Sequence, residues 1–245
     1  MTEPRLRNFL KAISQFVAVF LLAHLCAVLL NSQQPDEASI IRGVDAAVHA
    51  RQDAIASYTV TEHYAVFRNH DEVHPAAEMT VQTLYRRESG KTYTIQSESG
   101  STALRKLVLD KILESEQHIN LPGVRESSWI ISANYEMKLK SSGVERVNGR
   151  DCFALSISPR QQAPNLIAGT LWIDATNQSI VQLQGTASKS VSHFTGPTQV
   201  MRQYAMIDGF AMATHARASS DSFLFGQTLV TIDYTGYQIQ VQPAH

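Results

Sequence analysis

The segment NHDEVHP, residues 69–75, contains the densest group of side chains that could bind a metal. His70 and His74 stand four residues apart with Asp71 and Glu72 between them, and imidazole and carboxylate both bind zinc. Only a helix would place the two imidazoles on one face, whereas the final proline and the strand-like flanks predict a loop. Asp71 also stands where the H-E-x-x-H zinc motif has its glutamate. We therefore expect a solvated hairpin loop without a metal.

A single carboxylate, Glu62, interrupts an otherwise apolar strand face between Val60 and Tyr64, with His63 on the opposite face. A carboxylate that faces a cavity has a raised pKa and can transfer protons, so Glu62 and His63 are candidates for catalysis. The alternative is a position at the rim, or a pair with Arg86 on a neighbouring strand, because charged residues are seldom buried alone. No G-x-S-x-G, P-loop or G-x-G-x-x-G motif occurs, so we expect no catalytic residue and no cofactor.

The segment GTLWIDATNQSIVQLQGT, residues 169–186, resembles an active site at first, since Asp174 and Asn177 lie close together. Two short apolar strands flank them, which favours a hairpin in which the Asp174 carboxylate accepts hydrogen bonds from nearby backbone amides. Asn177 begins a sugar-acceptor tripeptide, which matters only in a eukaryotic secretory route. Trp129 and Trp172 could stack on a ligand, although core packing is the more frequent role.

The first 32 residues have the order of a secretory signal, with basic residues, an apolar run from Phe16 to Leu30, and then polar residues. The run is shorter than the roughly 20 residues that cross a bilayer. An uncleaved inner-membrane anchor through residues 12–30 is the alternative. We expect residues 1–32 to be a signal peptide and residues 33–245 to be one domain, periplasmic or secreted.

Cysteine and charge add two expectations. Cys26 would leave with the signal, and no small residue precedes it as in lipoprotein signals, so Cys152 remains alone and is expected to be a buried apolar residue. The whole chain has 21 basic and 22 acidic residues, and loss of residues 1–32 leaves a net charge of −3. No basic stripe remains, which excludes nucleic acid as a partner.

Two segments have helical periodicity. PDEASIIRGVDAAVHARQDAI, residues 35–55, places its apolar residues on one stripe after an acidic start. STALRKLVLDKILESEQ, residues 101–117, does the same, with Ser101 or Thr102 as the cap, and Pro122-Gly123 ends it.

The remaining segments alternate with a period of two between turn signals, the strongest being Asn148-Gly149 and Asp208-Gly209. We predict an α+β fold, mainly antiparallel β, in which a sheet of about 9–11 strands curls into a half-barrel with two helices on its concave side.

Each predicted strand has one apolar face, so one face of the sheet is buried and the other is wet. Either the two helices fill a solid core, or the curled sheet leaves an apolar cavity for a ligand. The side chains that would line such a cavity are Val60, Glu62, Tyr64, Val81, Phe153, Leu155, Ile157, Leu171, Ile173, Val181, Leu183, Val230 and Ile232.

The segment VNGRDCFALSISPR, followed by GTLWIDATNQSIVQLQG, resembles a recurring element of one superfamily. That superfamily comprises the outer-membrane lipoprotein-sorting carriers (LolA-like and LolB-like) and the RseB-like periplasmic sigma-E regulators. The segments VLDKILESEQHINLPGVRESSWIISANYEMKL and QYAMIDGFAMATHARASS are more similar still to secreted acidobacterial proteins without an assigned function. The resemblance implies a LolA-like domain with a site for lipid or another apolar ligand, although no residue matches the acyl-release residues of the carriers.

Three functions remain open. The first is a non-enzymatic carrier or binding protein for lipid, lipoprotein acyl chains or another apolar ligand. The second is a cell-envelope sensor or interaction module that holds an envelope protein at a sheet edge or on the concave face. The third is an enzyme that uses Glu62, His63 or the loop histidines.

Overall fold

The computed structural model describes residues 36–189, 196–222 and 226–243, so the predicted signal peptide or anchor lies outside the described residues. The described chain begins with helix α1 (Glu37–Ala54). A second helix has three parts, α2 (Thr102–Leu104), a π-helical turn (Arg105–Leu109) and α3 (Asp110–Ile119), and is named the composite helix. A 3₁₀ helix (Arg125–Ser128) follows it.

The described residues form eleven strands: β1 (Ile55–Arg68), β2 (Ala77–Arg86), β3 (Gly90–Gly100), β4 (Tyr135–Leu139), β5 (Glu145–Val147), β6 (Arg150–Pro159), β7 (Ile167–Asp174), β8 (Ile180–Ala187), β9 (Gln199–Ile207), β10 (Phe210–Ser222) and β11 (Gly226–Val241). They make one antiparallel sheet in the order β3-β2-β1-β11-β10-β9-β8-β7-β6-β4, with β5 paired to β6. The sheet is open, since β3 and β4 stand at its two ends. The predicted α+β fold with a curled antiparallel half-barrel is confirmed.

Both predicted helices are present, and local chemistry fixes their ends. The Ser101 side chain caps the composite helix by accepting a hydrogen bond from the Leu104 amide at 3.4 Å. The same helix ends at Ile119, shortly before Pro122 and Gly123, and Gly123 has a φ of +80°. In the described part of the chain, no helix has the length and apolar character needed to cross a membrane.

The two strongest predicted hairpins are also confirmed. Asn148 and Gly149 have φ values of 50° and 78°, and Asp208 and Gly209 have values of 50° and 84°. Positive φ at both central residues is the type I′ geometry, whose twist matches that of the flanking strands. These turns set the pairing of β5 with β6 and of β9 with β10.

Candidate functional site on the concave face

Helix α1 packs on the strands at one end of the sheet. Its fully buried Ile40 and Val44 contact an apolar cluster from β4, β6, β7 and β8 and the residue before β7: Tyr135, Met137, Phe153, Leu155, Ile157, Leu166, Ile167, Leu171, Ile173 and Leu183. The Asp45 carboxylate also accepts hydrogen bonds from the Ser132 amide at 2.8 Å and the Ser132 hydroxyl at 2.5 Å. The helix is therefore held by apolar packing and by a polar contact to the segment before β4.

The composite helix packs on the other half of the sheet. Its buried Leu109 and Leu113 contact a second apolar cluster from β1, β2, β10 and β11: Tyr64, Val66, Ala77, Met79, Val81, Ala216, Val230 and Ile232. Leu109 lies in the π-helical turn, and Leu113 lies one turn further along in α3.

The strand register shows that both helices cover the same face, which is named the concave face. Residues directly opposite each other on antiparallel strands project to the same side. One such row crosses nine strands from β2 to β4: Met79, Tyr64, Ile232, Ala216, Arg202, Leu183, Leu171, Leu155 and Leu139. Arg202 is the one charged side chain in this row, which is otherwise apolar apart from the Tyr64 hydroxyl.

One residue further along each strand, the opposite face is polar. The corresponding row there is Thr80, His63, Asp233, His215, Gln203, Gln182 and Trp172. His63 lies 3.1 Å from the Thr80 hydroxyl and 3.3 Å from the Glu78 carboxylate, and His215 lies 2.7 Å from Asp233. The predicted division into one apolar and one wet face is confirmed.

Charged side chains meet on the concave face between the two apolar clusters. Glu62, Lys91, Tyr93, Glu116 and Arg202 form this group, which is named the central polar patch. The Lys91 ammonium lies 2.9 Å from the Glu116 carboxylate, and the Arg202 guanidinium lies 3.7 Å from it. The side chains of Lys91 and Glu116 are 10% and 19% exposed, whereas that of Arg202 is 36% exposed. The patch therefore joins the composite helix to β3 and faces β9, where solvent still reaches the arginine.

Glu62 is buried on the concave face and does not lie at a rim. It is 1% exposed, and its carboxylate accepts a hydrogen bond from the Tyr64 hydroxyl. The register sets Glu62 opposite Val81 and Tyr234 and sets Arg86 opposite Ser57. The alternative of a rim position or an Arg86 pair is therefore wrong, because Glu62 is buried on a strand that has neighbours on both sides, and Arg86 pairs five residues away.

The pKa values follow from the ion pairs of the patch. Burial alone would raise the pKa of Glu116, but the charges of Lys91 and Arg202, with the hydrogen bond from Lys91, lower it to about 2. Burial alone would lower the pKa of Lys91, but Glu116 holds it well above its usual value. Both groups are therefore ionised at neutral pH. The pKa of the Tyr93 phenol is raised, mainly by burial, so this side chain remains a neutral donor.

All thirteen side chains predicted to line a cavity are buried. Phe153, Leu155, Ile157, Leu171, Ile173 and Leu183 lie in the α1 cluster, and Tyr64, Val81, Val230 and Ile232 lie under the composite helix. Val60 packs in a third cluster with Ile55, Tyr58, Tyr85 and Met212, while Glu62 and Val181 are buried outside these groups. Helix side chains pack directly on the first two sets, and their role in lining a ligand stays a prediction.

A pocket in the described chain lies away from these thirteen residues. It has a volume of about 420 Å³ and is lined by Asn148, Arg150, Gln203, Tyr204, Ala205, Met206 and Thr214. None of the thirteen predicted residues contributes to it.

Lys91, Tyr93, Glu116 and Arg202 were missed from the sequence. The alternation of Val200, Arg202 and Tyr204 along β9 is a signal that Arg202 shares the apolar face. Nothing local identifies Lys91 and Glu116 as partners, because they lie on different elements 25 residues apart.

The histidine segment is a loop between β1 and β2, as predicted. The Asp71 carboxylate accepts hydrogen bonds from the Val73 and His74 amides at 2.9 Å and lies 3.1 Å from the His74 ring. Glu72 pairs instead with Arg217 of β10 at 2.5 Å. Within the described ranges, no group of three histidine, cysteine or acidic side chains is arranged to hold a metal.

Asp174 is a turn former, as predicted. Its carboxylate accepts hydrogen bonds from the Thr176 and Asn177 amides at 2.8 and 3.1 Å and pairs with Arg150 at 2.9 Å. Cys152 is fully buried, and burial raises the pKa of its thiol, which makes it a poor nucleophile.

The two tryptophans contact polar neighbours and are partly buried. The Trp172 indole donates a hydrogen bond to Glu145 at 3.0 Å, and Trp129 meets the His49 ring edge-on with centroids 5.3 Å apart. Neither side chain belongs to the two apolar clusters beneath the helices.

No protein-family model and no curated protein matches this chain. Among solved structures, it is similar to a DUF1329 family protein from Desulfovibrio piger, with 15% identity, 84% of this chain and 95% of the other covered, and a TM-score of 0.42. It is also similar to a LolA superfamily protein from Nitrosomonas europaea, with 14% identity, 84% and 94% covered, and a TM-score of 0.43.

A third similar structure is an outer-membrane lipoprotein-sorting protein domain from Vibrio parahaemolyticus, with 13% identity, 80% and 91% covered, and a TM-score of 0.46. The resemblance seen in the sequence is thus met again among solved structures. At these identities it concerns the fold alone and says nothing about a ligand.

Proposed function

We propose that the chain is a non-enzymatic binding protein of the cell envelope, periplasmic or secreted, for lipid, lipoprotein acyl chains or another apolar ligand. The observation that supports this proposal is the row on the concave face, apolar apart from Arg202 and the Tyr64 hydroxyl, which crosses nine strands and is covered by the two helices. A surface of this extent can bind an acyl chain once one of the two covering helices moves away.

Only a few buried side chains of each helix pack on this surface. Helix α1 contributes two fully buried side chains, Ile40 and Val44, and the composite helix contributes Leu109 and Leu113. A ligand that replaces such contacts recovers the apolar burial that displacement of the helix loses. Binding would then select the open state of the helix.

The same geometry argues against the enzymatic alternative. Glu62 and His63 project to opposite faces of β1, so they cannot act together on one substrate. The Glu62 carboxylate is engaged by the Tyr64 hydroxyl, and His63 contacts Thr80 and Glu78 on the polar face. The loop histidines lie on another part of the chain, where Asp71 engages His74.

The proposal is tested by weakening the packing of helix α1 on the sheet. Val44→Ala removes about two buried carbon groups at about 0.8 kcal/mol each, which favours the open state of α1 by roughly tenfold. We expect the full-length variant to bind a fluorescent fatty-acid analogue up to about tenfold more tightly than the wild type, since the apparent affinity follows the open fraction. Fluorescence titration measures this, with thermal unfolding of both proteins recorded in parallel.

Arg42→Ala is the matched control, because Arg42 is an exposed residue on the same helix. It should leave the affinity unchanged. Mass spectrometry of an organic extract of the purified wild-type chain should also detect lipid. A wild-type chain that carries no lipid and binds no fatty-acid analogue would refute the proposed function.

A further inference from the structure

Arg202 occupies an unusual position for a charged residue. Its register neighbours are Ala216 on β10 and Leu183 on β8, both buried and apolar. Its Nη2 atom lies 3.7 Å from the Glu116 carboxylate, which is too long for a hydrogen bond. Within the described residues, its Nε atom is buried and has no hydrogen-bond partner. The guanidinium therefore has a free donor on the concave face.

Two hydroxyl groups of the described residues also lack a hydrogen-bond partner, one on Tyr93 in the central polar patch and one on the neighbouring Thr83. Thr83 and Tyr93 lie opposite each other on β2 and β3, and Thr83 is fully buried. In the described part of the chain, neither hydroxyl has a hydrogen-bond partner. Buried polar groups are nearly always paired, and each unpaired one costs stability. Thr83 and Tyr93 therefore leave two further unused hydroxyl donors on the same face of the described sheet.

The acceptors of the patch are, by contrast, already engaged. The Glu62 carboxylate is bonded by the Tyr64 hydroxyl, and the Glu116 carboxylate is bonded by the Lys91 ammonium. A patch with occupied acceptors and free donors suits an anion rather than a cation. Carboxylate and phosphate both match the planar donor fork of an arginine.

A row of apolar side chains begins beside Arg202 on the concave face. From Arg202 towards α1, the same row continues through Leu183, Leu171 and Leu155, which are at most 4% exposed. Three strand spacings correspond to about 14 Å, enough to seat much of an acyl chain. We propose that the concave face binds an anionic amphiphile, with its carboxylate or phosphate head at Arg202 and its chain along this row.

This inference rests on the proposed function and is tested with four probes of equal chain length. Dodecanoate, dodecyl phosphate, dodecanol and dodecyltrimethylammonium are titrated into the full chain by calorimetry below their micelle concentrations. We expect at least one anionic probe to bind about ten- to hundredfold more tightly than dodecanol, the range for a hydrogen bond to a charged group. Whichever anion is preferred identifies the carboxylate or the phosphate head.

The variants locate the head group. Arg202→Gln should remove the preference for the anion over dodecanol, and Arg202→Lys should restore part of it. Arg217→Gln is the matched control, because Arg217 pairs with Glu72 on the polar face and should keep the full preference. Thermal unfolding of each variant verifies that it is folded.

Two outcomes would overturn the inference, and they are distinguishable. If dodecanol binds as tightly as the anions, or if folded Arg202→Gln keeps the preference, the head-group site is refuted while the apolar-ligand function stands. If none of the four probes binds, the proposed function fails together with it.

Discussion

Replacing Glu116 by glutamine should change the pH dependence of stability in a way that the structure specifies. The carboxylate lies 2.9 Å from Lys91, is 19% exposed, and has its pKa lowered from 4.5 to about 2 by Lys91 and Arg202, against the effect of burial. Since a tenfold change in proton affinity is worth about 1.4 kcal/mol, this difference corresponds to about 3 kcal/mol of folding free energy.

The direction follows from linkage. A group whose pKa is lower in the folded state stabilises the protein above its unfolded pKa and loses that contribution as pH falls. The wild type should therefore lose about 3 kcal/mol between about pH 5 and pH 2, while Glu116→Gln should lack this component. At pH 7 the variant should be less stable by at least this amount, because Lys91 is then left buried without its partner.

The assay is urea unfolding of the full chain, followed by tryptophan fluorescence and circular dichroism between pH 2 and pH 7. Glu114→Gln is the control, since Glu114 pairs with Lys111 on the surface, with both side chains more than 60% exposed, and should leave the profile unchanged. Parallel pH profiles for the wild type and Glu116→Gln would contradict the reasoning, because the pair would then contribute nothing that depends on the charge of Glu116.

Two further substitutions test the turn and the concave row. Asp174→Ala should lower the free energy of unfolding, measured in urea, by about 1–3 kcal/mol, because two backbone amides and Arg150 lose their acceptor. The control Asp151→Ala removes an exposed ion pair and should lower this free energy only slightly. Leu171→Ala should cost about 2–5 kcal/mol, because Leu171 is fully buried under α1. Leu107→Ala, at a side chain 66% exposed, should cost far less, and equal effects at the two leucines would contradict the assigned packing.

Much of the fold can be predicted from the sequence because its causes are local. Alternation along each strand separates Val230 and Ile232 from Thr231 and Asp233, and the structure keeps them on opposite faces. Asn148-Gly149 forms its turn because these residue types tolerate positive φ. Asp174 caps its own turn with a side chain that reaches only two and three residues ahead.

The central polar patch could not be predicted in this way. Glu62 was recognised as a charge on an apolar face, but its burial depends on β1 pairing with β11 at the far end of the chain. Arg202 lies beside Leu183 through the β8–β9 register and near Glu116 through the packing of the composite helix. These contacts join residues from separate elements, and strand register and helix docking are set by the whole core.

The sequence by itself therefore determined the helices, the strands, the strongest turns and which side of each strand is apolar, since each depends on residues a few positions apart. Only the tertiary structure decided which strands are neighbours, which residues stand opposite each other, and where the helices lie on the sheet. The candidate site belongs to this second group, because every pair of charges in it is assembled by contacts between elements distant in the chain.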